Sequence, residues 1–176
     1  MQLVLYPDPR LNRRARPIEH IDREVREKVA NMFEIMYEEC GVGLAAPQVG
    51  GNARVFIVNT TGEPDPDSEF VYINPEISRP EGEVERVRDE EGCLSIPSVK
   101  GKVTRDQVVR VKAFDLKAQT FEEQVEDLHA RVVQHENDHW DGILLVSHLG
   151  LTDRLQAAKH LKKLEKEYKG QREAEV

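Results

Sequence analysis

The chain has 176 residues and a mass of 20.2 kDa, with 39% hydrophobic and 33% charged residues and a formal net charge of −8. This length and composition predict one globular domain with a proper core, and the acidic balance argues against nonspecific binding of DNA by the body of the molecule. No apolar run approaches the ~20 residues that span a bilayer, and Met1–Arg10 lacks the basic stretch and apolar core of a secretory signal, so the expected compartment is the cytoplasm, with no membrane association.

In chain order, Asp22 is placed to cap a helix running to about Cys40. Val25, Val29, Met32, Phe33 and Met36 recur at spacings of three and four and form its buried stripe. Gly41 suits the stop of that helix. Arg54–Val58 and Phe70–Ile73 read as short strands, separated by the Gly-, Pro- and Asp-rich loop Thr60–Glu69. Val84–Val87 alternates weakly, Val108–Phe114 alternates well, and Thr120–Glu126 reads as a further strand. Asp127 can cap a helix to about Asp141, which Gly142 ends. A last helix runs from about Thr152 to Tyr168, with Leu155, Ala158, Leu161, Leu164 and Tyr168 as its apolar stripe. Strands in the middle and helices at the ends predict an α+β class, with small mixed or antiparallel strands around the helix of residues 127–141.

Charge is uneven along this order. From Arg154 to Arg172 there are seven basic residues (Arg154, Lys159, Lys162, Lys163, Lys166, Lys169, Arg172) against two acidic ones, Glu165 and Glu167. Two readings stay open: a docking element for an anionic partner, or a solvated helix face. Of the two cysteines, Cys40 ends an apolar helix and reads as a small buried hydrophobe.

The sharpest chemical signal is His135-Glu136-Asn137-Asp138-His139. Helical positions i and i+4 lie about 40° apart and about 6 Å along the axis, so both imidazoles can hold one metal ion. A glutamate after the first histidine then lies where it can take a proton from bound water. A catalytic metal takes three protein ligands. The downstream histidine of a metzincin peptidase would stand where this chain has Leu145, and Glu165 and Glu167, at a thermolysin-like distance, sit in the basic helix. Cys93 is the better third ligand, within the Gly- and Pro-containing segment Glu91-Gly92-Cys93-Leu94-Ser95-Ile96-Pro97.

Three segments together are similar to the three signatures of the peptide deformylase family. They are Gly41-Val42-Gly43-Leu44-Ala45-Ala46-Pro47-Gln48, Glu91-Gly92-Cys93-Leu94-Ser95 and Gln134-His135-Glu136-Asn137-Asp138-His139, in the family's order. Tyr6-Pro7-Asp8-Pro9-Arg10-Leu11 resembles the family's opening segment, and the likeness runs from about Val4 to about Leu164. It implies one catalytic domain over residues 1–176, its basic C-terminal helix at about 152–172, that removes the N-formyl group from the formyl-methionine of nascent polypeptides and releases formate. Cys93, His135 and His139 would hold one divalent metal, Fe²⁺ physiologically, with Zn²⁺, Ni²⁺ or Co²⁺ also suited to the ligand set. Metal-bound water would attack the formyl carbon, with Glu136 as general base and then acid. Gln48 and the Leu94 backbone N–H would meet the oxyanion. Gly41, Val42 and Gly43 would take the peptide as an added strand, Leu128 and Val132 would flank the methionine side chain, and Arg105 would pair with Glu91 behind the metal. The basic helix would dock on ribosomal RNA, as the family's terminal helix does.

Two positions depart from the family's pattern. Trp140 stands where leucine is usual and reads as core or rim. Arg131 lies one turn before His135, at a position expected to be apolar: either it snorkels outward with its stem against the pocket, or it narrows and polarises that pocket. His20, His129, His148 and His160 read as surface or structural. A zinc peptidase lacks its downstream ligand here, and a non-enzymatic homologue should have lost a residue among Gln48, Cys93, His135, Glu136 and His139, yet all five are present.

Overall fold

A computed structural model describes residues 1–174 of the chain. Asp22 accepts a hydrogen bond from the Val25 N–H (3.0 Å) and starts helix α1 (Arg23–Glu38). The buried stripe is Val29, Met32, Phe33 and Met36, as the spacing predicts. The stop differs from expectation. Cys40 takes the left-handed conformation (φ 54), whereas a Cβ on Gly41 would lie 2.7 Å from Leu94 Cδ1. Cys40, not Gly41, therefore turns the chain, and Gly41 packs closely against Leu94 and Met36. Cys40 is exposed, because the turn swings it out of the apolar stripe that was expected to bury it.

The strands are β1 (Gly43–Ala45), β2 (Val55–Val58), β3 (Phe70–Ser78), β4 (Arg86–Gly92), β5 (Lys100–Asp106), β6 (Val108–Phe114) and β7 (Thr120–Glu126). Five of them form an antiparallel sheet in the order β1-β2-β3-β6-β7, and β4 pairs with β5 in a separate hairpin. β2 is buried on both faces, which explains its unbroken apolar run: Phe56 and Val58 pack in one core cluster, Val55 and Ile57 in the cluster under α1. β3 runs past the expected end at Ile73 through a bulge between Ile73 and Glu76. Asn74 adopts φ 47 there, and its side chain accepts from the Ile18 N–H and donates to the Ile18 carbonyl, both at 2.8 Å.

Helix α2 (Asp127–Trp140) lies between the two sheets, against β1, β2, β6 and β7 on one side and β5 on the other. Asp127 is its first residue, not its cap; the carboxylate accepts from Gln107 Nε2 (3.0 Å) instead. Trp140 belongs to the core at 2% exposure, with its ring 5.1 Å from that of Phe56. Helix α3 (Leu145–His148) leads into α4 (Leu151–Ala174). The stripe of α4 sits differently from the expected one: Ala157 is buried and Leu161 and Leu164 pack on the same cluster, while Leu155 is 69% exposed. The helix meets the body at a rotation that favours the 157–161–164 line. All seven basic residues from Arg154 to Arg172 are exposed. Among the described residues no helix is long and apolar enough to cross a membrane.

Gly142 ends α2 at φ 71, and any Cβ there would fall on the carbonyl oxygen of Asn12. Gly142→Ala should therefore destabilise the fold by about 2 kcal/mol or more, read as a lower midpoint of urea unfolding. An unchanged midpoint would contradict this account of the α2 stop.

Candidate active site

The start of the chain ties the first two of the three sequence segments together. The Val4 N–H donates to the Gln48 carbonyl (2.7 Å) and the Tyr6 N–H to the Ser95 carbonyl (2.8 Å), so residues 4–6 tie the first segment to the second. The second segment begins as the end of β4, where Glu91 and Gly92 pair with Gly101 and Lys100, and turns at Cys93. The third is the buried face of α2, which carries His135, Glu136 and His139.

Cys93, His135 and His139 offer one sulfur and two ring nitrogens that all lie within 4.8 Å of one another, and all three residues are buried. Cys93 Sγ is 3.4 Å from His139 Nε2. The Nδ1 of His135 faces Glu91 Oε2 at 3.0 Å, which leaves Nε2 as its free ring nitrogen. One thiolate-capable sulfur with two imidazoles is a donor set for a divalent transition metal. Glu136 Oε2 is buried beside the cluster and has no hydrogen-bond partner among the described residues, which fits a carboxylate facing a metal-held water.

Electrostatics separate the ionisable groups in the metal-free site. Burial raises the Glu136 carboxyl to about 7. Burial also pushes His139 well below the usual imidazole range. For His135 burial acts in the same direction, but the neighbouring Cys93 and Glu91 outweigh it and hold its pKa well above the ordinary value. Glu91 is the opposite case from Glu136: burial would raise it, yet bonds from His135 and Arg105 bring it down to about 2.

Glu91 is the hub behind the cluster. Its Oε1 accepts from Arg105 Nε (3.0 Å) and Arg131 Nη1 (2.7 Å); its Oε2 accepts from Arg105 Nη2 (3.1 Å). Arg105 also donates to Asp138 Oδ2 (2.7 Å), and that oxygen lies 2.8 Å from His148 Nε2. Arg131 corrects the expectation of an outward, solvent-directed side chain. Its guanidinium turns inward and donates to Glu91 and to the carbonyls of Val103 (3.0 Å) and Val87 (2.9 Å), and the residue lines the cleft. An arginine with three acceptors in reach gains more there than at the surface. Sequence gave no hint of Asp138 and His148 as partners, and Ser95 Oγ, 3.4 Å from Gln48 Nε2, was likewise not anticipated.

In front of the cluster lies a cleft of about 500 Å³, lined among others by Gly41, Val42, Gly43, Gln48, Leu94, Leu128 and Val132. Val132 is buried while Leu128 is half exposed at the rim. β1 is the edge strand along this cleft. A Cβ on Gly43 would lie 2.5 Å from Val132 Cγ1 and 2.7 Å from Glu136 Oε1, so glycine lets the strand press against the helix beside Glu136. Gln48 is oriented from behind: its Oε1 accepts from the Ala45 N–H (2.8 Å), which leaves the amide nitrogen 3.7 Å from Cys93 Sγ.

The Glu91 shift has a definite sign. A folded carboxyl at about 2, below its ordinary 4.5, stabilises the fold above pH 4.5 and loses that contribution as pH falls toward 2. Glu91→Gln in metal-free protein should cost several kcal/mol at neutral pH, because two buried guanidinia lose their counter-charge. The gap between variant and parent should narrow by about 2 kcal/mol by pH 3. Urea unfolding at both pH values reads it; a constant gap would remove Glu91 from the linkage.

Comparison with known proteins agrees with this geometry. A family model described as polypeptide deformylase matches residues 1–155. Peptide deformylase of Acidobacterium capsulatum is 40% identical over 164 residues, covering 93% of this chain and 95% of its own length. The Chromobacterium violaceum peptide deformylase is 40% identical over 167 residues, covering 95% and 97%. Among solved structures, peptide deformylase from Plasmodium falciparum superposes with a TM-score of 0.91 at 34% identity, over 96% of this chain and 98% of that one. One from Legionella pneumophila gives 0.84 at 37%, over 94% and 95%. With its Cys/His/His cluster, antiparallel sheets and sequence all in agreement, the chain belongs to the polypeptide deformylase family of hydrolases.

Proposed function

We propose that the chain removes the N-formyl group from formyl-methionyl nascent peptides, as one catalytic domain that depends on a divalent metal held by Cys93, His135 and His139. The observation that carries this reading is the convergence of those three ligand atoms within 4.8 Å beside the buried Glu136, whose Oε2 has no hydrogen-bond partner among the described residues. A bound dication, Fe²⁺ physiologically and Zn²⁺, Ni²⁺ or Co²⁺ as substitutes, would supply an acidified water and polarise the formyl carbonyl.

The protein's own groups do the rest. Glu136 would take up a proton on the water side and deliver it to the departing methionine nitrogen. Gln48, its carbonyl oxygen already bound to the Ala45 N–H, presents its amide N–H groups to the oxyanion, joined by the Leu94 N–H. The peptide backbone pairs along Gly41, Val42 and Gly43, the segment that leads into the free edge of β1, and the methionine side chain lies against Leu128 and Val132. Arg105 and Glu91 hold His135 from behind. The exposed basic face of α4 is proposed to dock on ribosomal RNA, and the cytoplasm is proposed as the working compartment.

Formate release from a formyl-Met-Ala-Ser peptide tests the reaction. Glu136→Gln, in protein that retains its metal, should lower the rate by about 10²–10⁴-fold. The parent's kcat/KM should show an acid limb below pH 7, because a cation beside Glu136 counters the burial that raises its carboxyl to about 7, and the variant should lack that limb. Full activity in Glu136→Gln would overturn the assignment. For docking, the fourfold substitution of Lys159, Lys162, Lys163 and Lys166 by Glu should abolish cosedimentation with ribosomes at low salt, where the parent binds and is released as salt rises. Cosedimentation equal to the parent's would sink the docking proposal.

A further inference from the structure

We propose that Arg131 is a positioning residue for the metal centre, fixing the Glu91 carboxylate that orients His135; the inference rests on the reading of Cys93, His135 and His139 as metal ligands. The guanidinium is buried and joins three places at once. Nη1 reaches Glu91 Oε1 (2.7 Å) and the Val103 carbonyl on β5 (3.0 Å), and Nη2 reaches the Val87 carbonyl on β4 (2.9 Å). It thereby straps α2 to both strands of the hairpin that ends in Cys93.

Its place on the helix distinguishes it from Arg105. Arg105 sits on β5 and holds Glu91 in the frame of the hairpin. Arg131 sits on α2, one turn before His135, and holds the same carboxylate in the frame of the helix that carries both imidazoles. With both in place, Glu91 Oε2 cannot shift relative to His135 Nδ1 without breaking bonds to two rigid elements. A histidine whose rear nitrogen is held this way keeps its ring orientation and tautomer for the ligand position. Three of the five N–H donors of Arg131 bond Glu91, Val103 and Val87, which holds the guanidinium to the helix–hairpin seam while the residue also lines the cleft.

Arg131→Met keeps an apolar stem of similar length and removes the guanidinium. Metal affinity, measured on the purified apo chain by chelator competition with Zn²⁺ and by the visible spectrum of the Co²⁺ form, should weaken by about 10–100-fold. On the formyl-Met-Ala-Ser peptide the loss should fall on kcat, with KM within about threefold of the parent and the preference for formyl-Met over formyl-Leu retained. Arg131→Lys, which can reach one acceptor at a time, should lie between the two. A folded Arg131→Met with parental metal affinity would overturn the proposal, as would a change confined to KM or side-chain preference, which marks a pocket-wall residue. Should Arg131→Met fail to fold, Arg131→Lys decides: parental affinity there overturns the proposal, and weakened affinity supports it. A parent chain that takes up no dication, behaving like Cys93→Ser, would instead overturn the metal reading and the inference with it.

Discussion

A carboxylate held by two guanidinia and an imidazole anchors the functional end of this molecule. Glu91 joins β4 to β5 through Arg105 and to α2 through Arg131 and His135. A buried charge of this kind is costly unless every lone pair is engaged, and each of its oxygens accepts two bonds. The hairpin brings Cys93 and the helix brings His135 and His139, so the element that unites them also sets the geometry of the ligand cluster. The network continues outward through Arg105, Asp138 and His148 and ties the end of α3 to the same centre.

Close approach on the other side of α2 is the second constraint. Gly43 has no Cβ, so β1 presses against Val132 and Glu136, and the cleft opens between an edge strand and the helix. The same helix thus faces a polar, bonded layer toward β5 and an apolar layer toward the large sheet, where Trp140 packs on Phe56. Two neighbouring glutamates take opposite ionisation from these surroundings. Glu91, ringed by donors, stays charged; Glu136, buried with one oxygen unpartnered, is held near neutrality. That difference separates a structural counter-charge from a group able to exchange protons.

Much of this was legible before any coordinates. The α+β class, the α1 stripe, β6, β7 and α2 follow from periodicity, because each buries one face and its apolar residues recur at the matching period. The ligand trio followed from spacing on a helix together with a matched segment around Cys93. The β4–β5 hairpin was nearly invisible. The inward positions of β5 are Gly101, Val103 and Arg105, and those of β4 include Glu91, so the buried side carries little apolar signal. α3 has four residues, too few for a period to show.

By itself the sequence determined the residues able to do chemistry, the helix that presents two of them, and the family, because these depend on residue identity at short, fixed spacings. Tertiary structure alone decided where Arg131 points, that Cys40 is exposed, that α4 buries Ala157 in place of Leu155, and that Asp138 and His148 extend the Glu91 network. Each of these depends on which surface another element presents at long sequence separation. An arginine has enough reach to satisfy itself in solvent or inside, and the choice falls to the acceptors that the fold brings within hydrogen-bonding distance.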